Sequence, residues 1–242
     1  MYYLIKLKKA FLEILFPPVC LSCKRHITEQ ENYLCHLCAT KIFINKTLIC
    51  PVCRARLADN RKTCHKKSLY LLAAAAFYDD ETVKNLIWRL KYRNEKAAAA
   101  PLAKILTEHI KLTGLIGATG PLKPKNTILV PIPLHPARER QRGFNQSFLL
   151  AEKLAENLNL TLANSLLREK NTKPQAEIED LKKRRENVVD CFIANNTGEI
   201  KGKNILLVDD VSTSGSTLNE AAKVLKAAGA KKIIGLVAAR AR

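Results

Sequence analysis

Residues 204–217 read NILLVDDVSTSGST, and this stretch leaves the chain little freedom in what it can become. Ile205, Leu206, Leu207 and Val208 form an apolar run of strand type. Asp209 and Asp210 follow, then Ser212, Thr213, Ser214, Gly215, Ser216 and Thr217. Beyond them Leu218, Ala221, Ala222, Val224 and Leu225 recur at helical spacing. A short, continuous apolar run feeding a helix belongs to a parallel strand covered on both faces. A hydroxyl-rich loop entering a helix presents amides and hydroxyls to a phosphate dianion, and the helix dipole favours that charge. The carboxylate pair suits ribose hydroxyls or a nearby divalent cation. The stretch therefore reads as a site for a sugar phosphate. An ordinary strand followed by a Ser- or Thr-capped helix leaves the acid pair and the unbroken hydroxyl run unexplained.

The 242 residues accommodate one larger α/β domain and a small appendage. We place the larger domain at residues 68–242. LYLLAAAAFYDD (69–80) reads as a first strand. ETVKNLIWRLKY (81–92) reads as a helix with Val83, Leu86, Ile87 and Leu90 inward, and Lys91 and Arg93 stand at its end. AAAAPLAKILTEHIKL (97–112) is a second helix, 113–126 a loop, and TILVPI (127–132) a buried strand. A basic loop with Arg138, Arg140 and Arg142 follows, then a helix carrying Leu149, Leu150, Leu154 and Leu158. Arginines at the C-terminal end of such a strand stand where α/β sheets bind ligands, so Arg138 and Arg142 are candidates for a second phosphate or a pyrophosphate. Residues 165–187 are polar and read as a lid or a surface excursion. As a lid, Arg168, Lys170, Lys173, Gln175, Arg185 and Asn187 would close over an anion. VVDCFIA (188–194) and IIGLVAAR (233–240) read as strands, and the alternation of strands and helices implies a mostly parallel, Rossmann-like sheet.

Residues 1–17 read as an amphipathic helix stopped by Pro17 and Pro18, able to lie on a membrane surface or against the protein. The segment is broken by Lys6, Lys8, Lys9 and Glu13 and lacks a small-residue cleavage site, unlike an export signal. No run of about 18 apolar residues is present, so no transmembrane segment is expected. A cytoplasmic location is the expectation. Residues 18–67 hold Cys20-x-x-Cys23 and, 11 residues on, Cys35-x-x-Cys38. Two such knuckles match a tetrahedral four-thiolate structural zinc. Two local disulfides would not require the doubled pattern. Cys50, Cys53 and Cys64 look like a degenerate copy with Lys67 where a fourth cysteine would stand. Either His65 completes that second site or this ribbon is free of metal. The net charge is +19, from 41 Lys+Arg against 22 Asp+Glu, and residues 1–67 carry 13 basic against 4 acidic side chains. Such a balance points to a polyanionic partner or an anionic substrate. No Ser-His-Asp or Cys-His arrangement is evident, which argues against a covalent nucleophile.

VDDVSTSGST resembles the phosphoribosyl-pyrophosphate (PRPP) motif of type I phosphoribosyltransferases. Taken with VPIPLHPARERQRGFNQ, TKPQ, the spacing of Arg185 and Asn187, and the cysteine ribbon, the chain resembles the ComF family of competence-associated proteins over essentially its whole length. The resemblance implies a type I phosphoribosyltransferase fold behind a zinc ribbon. It implies that Asp209 and Asp210 hold ribose hydroxyls and that residues 212–217 hold the 5′-phosphate. Basic residues after Pro133 would then lie near pyrophosphate, with magnesium bridging the diphosphate. It also implies a link to natural transformation, incoming single-stranded DNA and the competence machinery.

Two functions follow as expectations. One is a PRPP-binding protein that handles single-stranded DNA, with Tyr33 and Phe43 on the basic ribbon available for stacking. The other is an active phosphoribosyltransferase of nucleobase or amine salvage. The acceptor and the oligomeric state are not legible in the sequence.

Overall fold

The computed structural model describes residues 17–28, 31, 33–58, 64–117 and 119–241. The helix expected at residues 1–17 lies almost wholly outside them. Five parallel strands form the main sheet: β1 (Leu71–Phe77), β2 (Thr127–Pro131), β3 (Thr161–Leu162), β6 (Asn204–Ser212) and β7 (Lys232–Arg240). Their order is β1-β7-β6-β2-β3. β4 (Leu166–Arg168) and β5 (Phe192–Ala194) make a separate antiparallel pair.

Alternation along the strands sends side chains to two cores. Leu206, Val208, Ile234 and Leu236 join one face with α2 (Glu81–Tyr92), α3 (Ala99–Thr113) and α5 (Gln146–Leu158). Ile205, Leu207, Ile233 and Val237 join the other with α8 (Ser216–Ala227), which follows the short helices α6 (Leu181–Glu186) and α7 (Thr197–Ile200) in the chain. Each of these helices carries one apolar stripe, as with Val83, Leu86, Ile87 and Leu90 of α2. β1 is largely alanine, a helix former, and burial at the sheet overrides that preference.

Three stretches differ from what the sequence leads one to expect. The basic stretch after Pro133 is a helix, α4 (Pro136–Arg142), and not a loop. Proline opens it, the His135 ring accepts from the Ala137 amide, and Gly143 ends it with φ 82. The strand expected at 188–194 is reduced to Phe192–Ala194 and belongs to the two-stranded sheet. β6 does not stop at Val208 but continues through the acid pair to Ser212, in register with β7 up to Arg240.

The ribbon repeats itself at 30 residues. Cys20 and Cys50 accept from the amides of Lys24 and Arg54, and both of those residues are left-handed, with φ 63 and 62. A small helix, α1 (His36–Lys41), closes the first half and carries Cys38. The ribbon covers the free edge of β1: Ile49 and Leu72 exchange backbone hydrogen bonds of 2.8 and 3.0 Å, and the Asn45 side chain donates to Ala74 O at 2.8 Å. Unpaired strand edges invite association, and this one is blunted from within the chain. Among the described residues no helix is long and apolar enough to cross a membrane.

Candidate functional site

A cleft of about 130 Å³ opens at the C-terminal ends of β2 and β6. Asp209, Asp210 and residues 212–217 all line it, so the strand–acid–hydroxyl stretch is brought together as one surface. Asp210 is 2% exposed, and Lys91 Nζ lies 2.8 Å from its Oδ1. Burial opposes the charge on Lys91, but the Asp210 carboxylate outweighs it and holds the ammonium above its ordinary pKa. Asp209 accepts from Ser147 Oγ at 2.8 Å and from the Asp210 amide at 2.9 Å. Burial, helped by the neighbouring Asp210 charge, pushes Asp209 up to about 7. Lys91 and Ser147 reduce that rise without cancelling it. Asp210 Oδ2 is buried and has no partner among the described residues.

The hydroxyl loop is built for close approach. Gly215 has φ +77, and a Cβ there would sit 2.9 Å from the Tyr70 hydroxyl, so only glycine fits. Tyr70 donates to Gly215 O at 3.5 Å, and Arg54 of the ribbon donates to Thr213 O at 3.2 Å. The loop is thus held by both modules of the chain. It leads into α8, whose first amides have no carbonyl of their own helix to bond.

A wall of guanidinium groups lines the same cleft. Arg138 and Arg142 are four residues apart on α4, hence on one face, and both line the cleft. Arg140 points to another face of α4 and does not line it. Arg168, 9% exposed at the end of β4, joins them. Burial, and then the like charges of Arg168 and Arg142, lower the pKa of Arg138. Three guanidinium groups around one cleft, none of them ion-paired to a carboxylate among the described residues, make a seat for a polyanion.

Of the other residues expected in a lid, only Gln175 reaches this cleft. Its Nε2 donates to Arg184 O, and its buried Oε1 has no partner among the described residues. Lys170 and Asn187 instead donate to the carbonyls of Val189 and Lys173. Arg185 lies in a neighbouring groove with Arg54 and Lys67.

Three residues of the site were not singled out from sequence. Lys91 arrives from the last turn of α2, 119 positions before Asp210. Ser147 and Tyr92 are the others, Tyr92 lining the cleft beside Lys91. The RGFNQ motif carried a signal for Ser147. Asn145 caps α5 by accepting from the Ser147 and Phe148 amides, and its Nδ2 donates to Ile132 O at 3.0 Å. That cap fixes Ser147 under Asp209.

The cysteines gather into two sets of ligand atoms, each within 4.8 Å: Cys20, Cys23, Cys35 and Cys38, and Cys50, Cys53, Cys64 and His65. Cys50 Sγ and Cys64 Sγ lie 3.4 and 3.3 Å from His65 Nδ1, so geometry puts the histidine in the position left open by Lys67. Four thiolate or imidazole donors gathered within reach of one ion, with no fifth in either set among the described residues, fit structural zinc at both sites.

A family model described as a phosphoribosyl transferase domain matches residues 145–242, and one described as a double zinc ribbon domain matches residues 11–68. Competence protein ComFC of Bacillus subtilis is 30% identical over 86% of this chain and 77% of its own length. Competence protein F of Haemophilus influenzae is 31% identical over 88% and 93%. DNA utilization protein YhgH of Salmonella typhimurium is 26% identical over 90% and 94%. Among solved structures, the allosteric regulatory enzyme of purine biosynthesis aligns at 19% identity with a TM-score of 0.36, over 59% of this chain and 26% of its own.

Proposed function

The chain belongs to the ComF family of phosphoribosyltransferase-like proteins with a double zinc ribbon, and from this premise we propose that its cleft binds PRPP with magnesium in the service of DNA uptake. One observation carries the ligand. A single cleft joins three guanidinium groups, a hydroxyl loop at a helix N-terminus, and an aspartate whose buried carboxylate oxygen has no partner among the described residues. PRPP has a matching part for each: a diphosphate, a 5′-phosphate and ribose hydroxyls between them. Arg138, Arg142 and Arg168 take the diphosphate, residues 212–217 the 5′-phosphate, and Asp209 and Asp210 the hydroxyls. Magnesium on the diphosphate supplies further charge neutralisation there.

The two ribbon sites hold zinc for shape, and their reduced thiolates accord with a cytoplasmic location. The names of the relatives, competence and DNA utilization, support a role in natural transformation. The net charge of +19 supports single-stranded DNA as the polyanion handled, with competence proteins as partners.

Calorimetric titration with magnesium and PRPP, set against ribose 5-phosphate, tests the ligand. PRPP binds more tightly on this reading, because only it engages the arginine wall; equal affinities overturn it. Single-stranded DNA affinity should fall steeply with salt, and absent or salt-independent binding removes the DNA role.

A second reading, pentosyl transfer to a nucleobase or amine, is favoured by the same wall, because three guanidinium groups also stabilise a departing diphosphate. In that reaction the ribose C1–oxygen bond breaks, the diphosphate leaves with the electron pair, and a nitrogen lone pair forms the new bond. Magnesium-dependent pyrophosphate release across a panel of bases decides it. Absence of release leaves the binding function standing alone.

A further inference from the structure

Trp88 is the chain's only tryptophan, and it is 43% exposed. One turn later on α2 stands Tyr92, 59% exposed, its ring centroid 6.5 Å from that of Trp88 and tilted by 45°. The guanidinium of Arg93 lies 5.0 Å from the centre of the Trp88 ring. Lys84, one turn before Trp88, is exposed on the same stripe.

The core does not need this stripe. α2 is anchored by Val83, Leu86, Ile87 and Leu90, all 0 or 1% exposed, on its opposite face. Position gives the aromatic pair a meaning. Tyr92 lines the cleft described above, and its neighbour Lys91 is the partner of Asp210. The aromatic surface therefore starts at the cleft's mouth and runs outward along the helix.

We infer that Trp88 and Tyr92 form a stacking platform for an unpaired nucleobase at the mouth of the cleft, with Arg93 and Lys84 placed for adjoining phosphates. Exposed rings interleaved with cations suit a flat π-face carried on an anionic backbone. An apolar protein surface would meet the same cations at a desolvation cost. The net charge of +19 favours a strand as the carrier. The platform deepens the proposed function and rests on it for the identity of the neighbouring site. It adds a stacking surface on α2 to that expected of Tyr33 and Phe43 on the ribbon, which are 45% and 60% exposed.

Because Trp88 is the sole tryptophan, its emission reports on the platform directly. The full-length protein is titrated with single-stranded oligothymidylate, with an abasic strand of equal length, and with free thymidine. Oligothymidylate should quench the emission and the abasic strand should not. Thymidine quenching shows that a free base suffices, and its absence shows that the base must come on a strand. Trp88→Ala should weaken oligothymidylate binding roughly tenfold, and Trp88→Phe should retain most of it. Equal affinity for the abasic strand, no quenching by any base, or an unchanged Trp88→Ala overturns the inference. Trp88 does not line the cleft, so Trp88→Ala should leave magnesium–PRPP calorimetry unchanged. If the wild type quenches but binds no PRPP, the platform stands and the reading of the cleft falls. If PRPP binds and no base quenches, the platform falls alone.

Discussion

Lys91 Nζ sits 2.8 Å from Asp210 Oδ1, with the carboxylate 3% and the lysine 23% exposed. An acid pair inside a buried strand thus carries its own counter-ion, delivered by a helix from the other end of the domain. The pairing leaves Asp210 Oδ2 buried and without a partner among the described residues, on a side chain that lines the cleft. Removing one partner of a buried ion pair strands the other. Lys91→Met should lower stability by about 2–4 kcal/mol, and Asp210→Asn in the same chain should recover most of that loss. Chemical denaturation of the two single variants and the double variant measures the coupling. Additive losses would show that the pair contributes nothing of its own.

The raised pKa of Asp209 has a consequence for binding. Its carboxyl, at about 7 in the free protein, must be ionised to accept from ribose hydroxyls. PRPP affinity should therefore rise as pH passes upward through that value, by roughly tenfold between about pH 6 and about pH 8 for one linked proton. For stability the sign is opposite: with its pKa raised from 3.8 to about 7 on folding, the acid favours the folded state fully only below about 3.8, and that advantage is lost progressively as pH rises from there to about 7. Calorimetry of the wild type against Asp209→Asn separates this proton from those of PRPP itself, since the variant should lack the tenfold component.

Asn145→Ala tests the motif that positions Ser147. Loss of the cap should cost about 1–2 kcal/mol, and release of Ser147 should weaken PRPP binding as well, because Asp209 loses its hydroxyl donor. Ser147→Ala removes the hydroxyl and keeps the cap. It should reproduce the binding loss at a smaller stability cost in thermal melts. Unaltered binding in both would remove Ser147 from the site.

Much of this arrangement was readable in the chain. The β6–α8 unit, the two cysteine sets and the choice of Arg138 and Arg142 rest on local spacing, and local spacing survives in a sequence. The path of residues 136–142 was missed because seven residues without apolar periodicity look like a loop, although Pro136 at the start and Gly143 at the end mark a helix. Lys91 is illegible for another reason: it meets Asp210 only through tertiary folding, and no pattern near residue 91 records that contact. Ser147 has a local signal in the RGFNQ motif before it, but its pairing with Asp209 is likewise tertiary. The strand at 188–194 was overextended because Val188 and Val189 look like strand residues, whereas Asp190 at φ 51 forces a turn.

The second ribbon should speak to the cleft. Arg54 follows Cys53 in a knuckle whose metal set is Cys50, Cys53, Cys64 and His65, and it donates to Thr213 O in the hydroxyl loop. Chelation that strips zinc should loosen that knuckle and weaken PRPP binding. Arg54→Ala should show a smaller loss, about twofold to fivefold, the size expected for one partly exposed hydrogen bond. Unchanged PRPP affinity after complete zinc removal would show that the two modules are independent.

The central claim, that Asp209 and Asp210 hold the ribose of PRPP, is met most directly by magnesium–PRPP calorimetry on the wild type and on the Asp209→Asn/Asp210→Asn double variant. The account predicts binding by the wild type and a loss of at least about tenfold in the variant, the minimum for removing hydrogen bonds to a buried charge. Equal affinity in the two proteins, with both folded by circular dichroism, would contradict it.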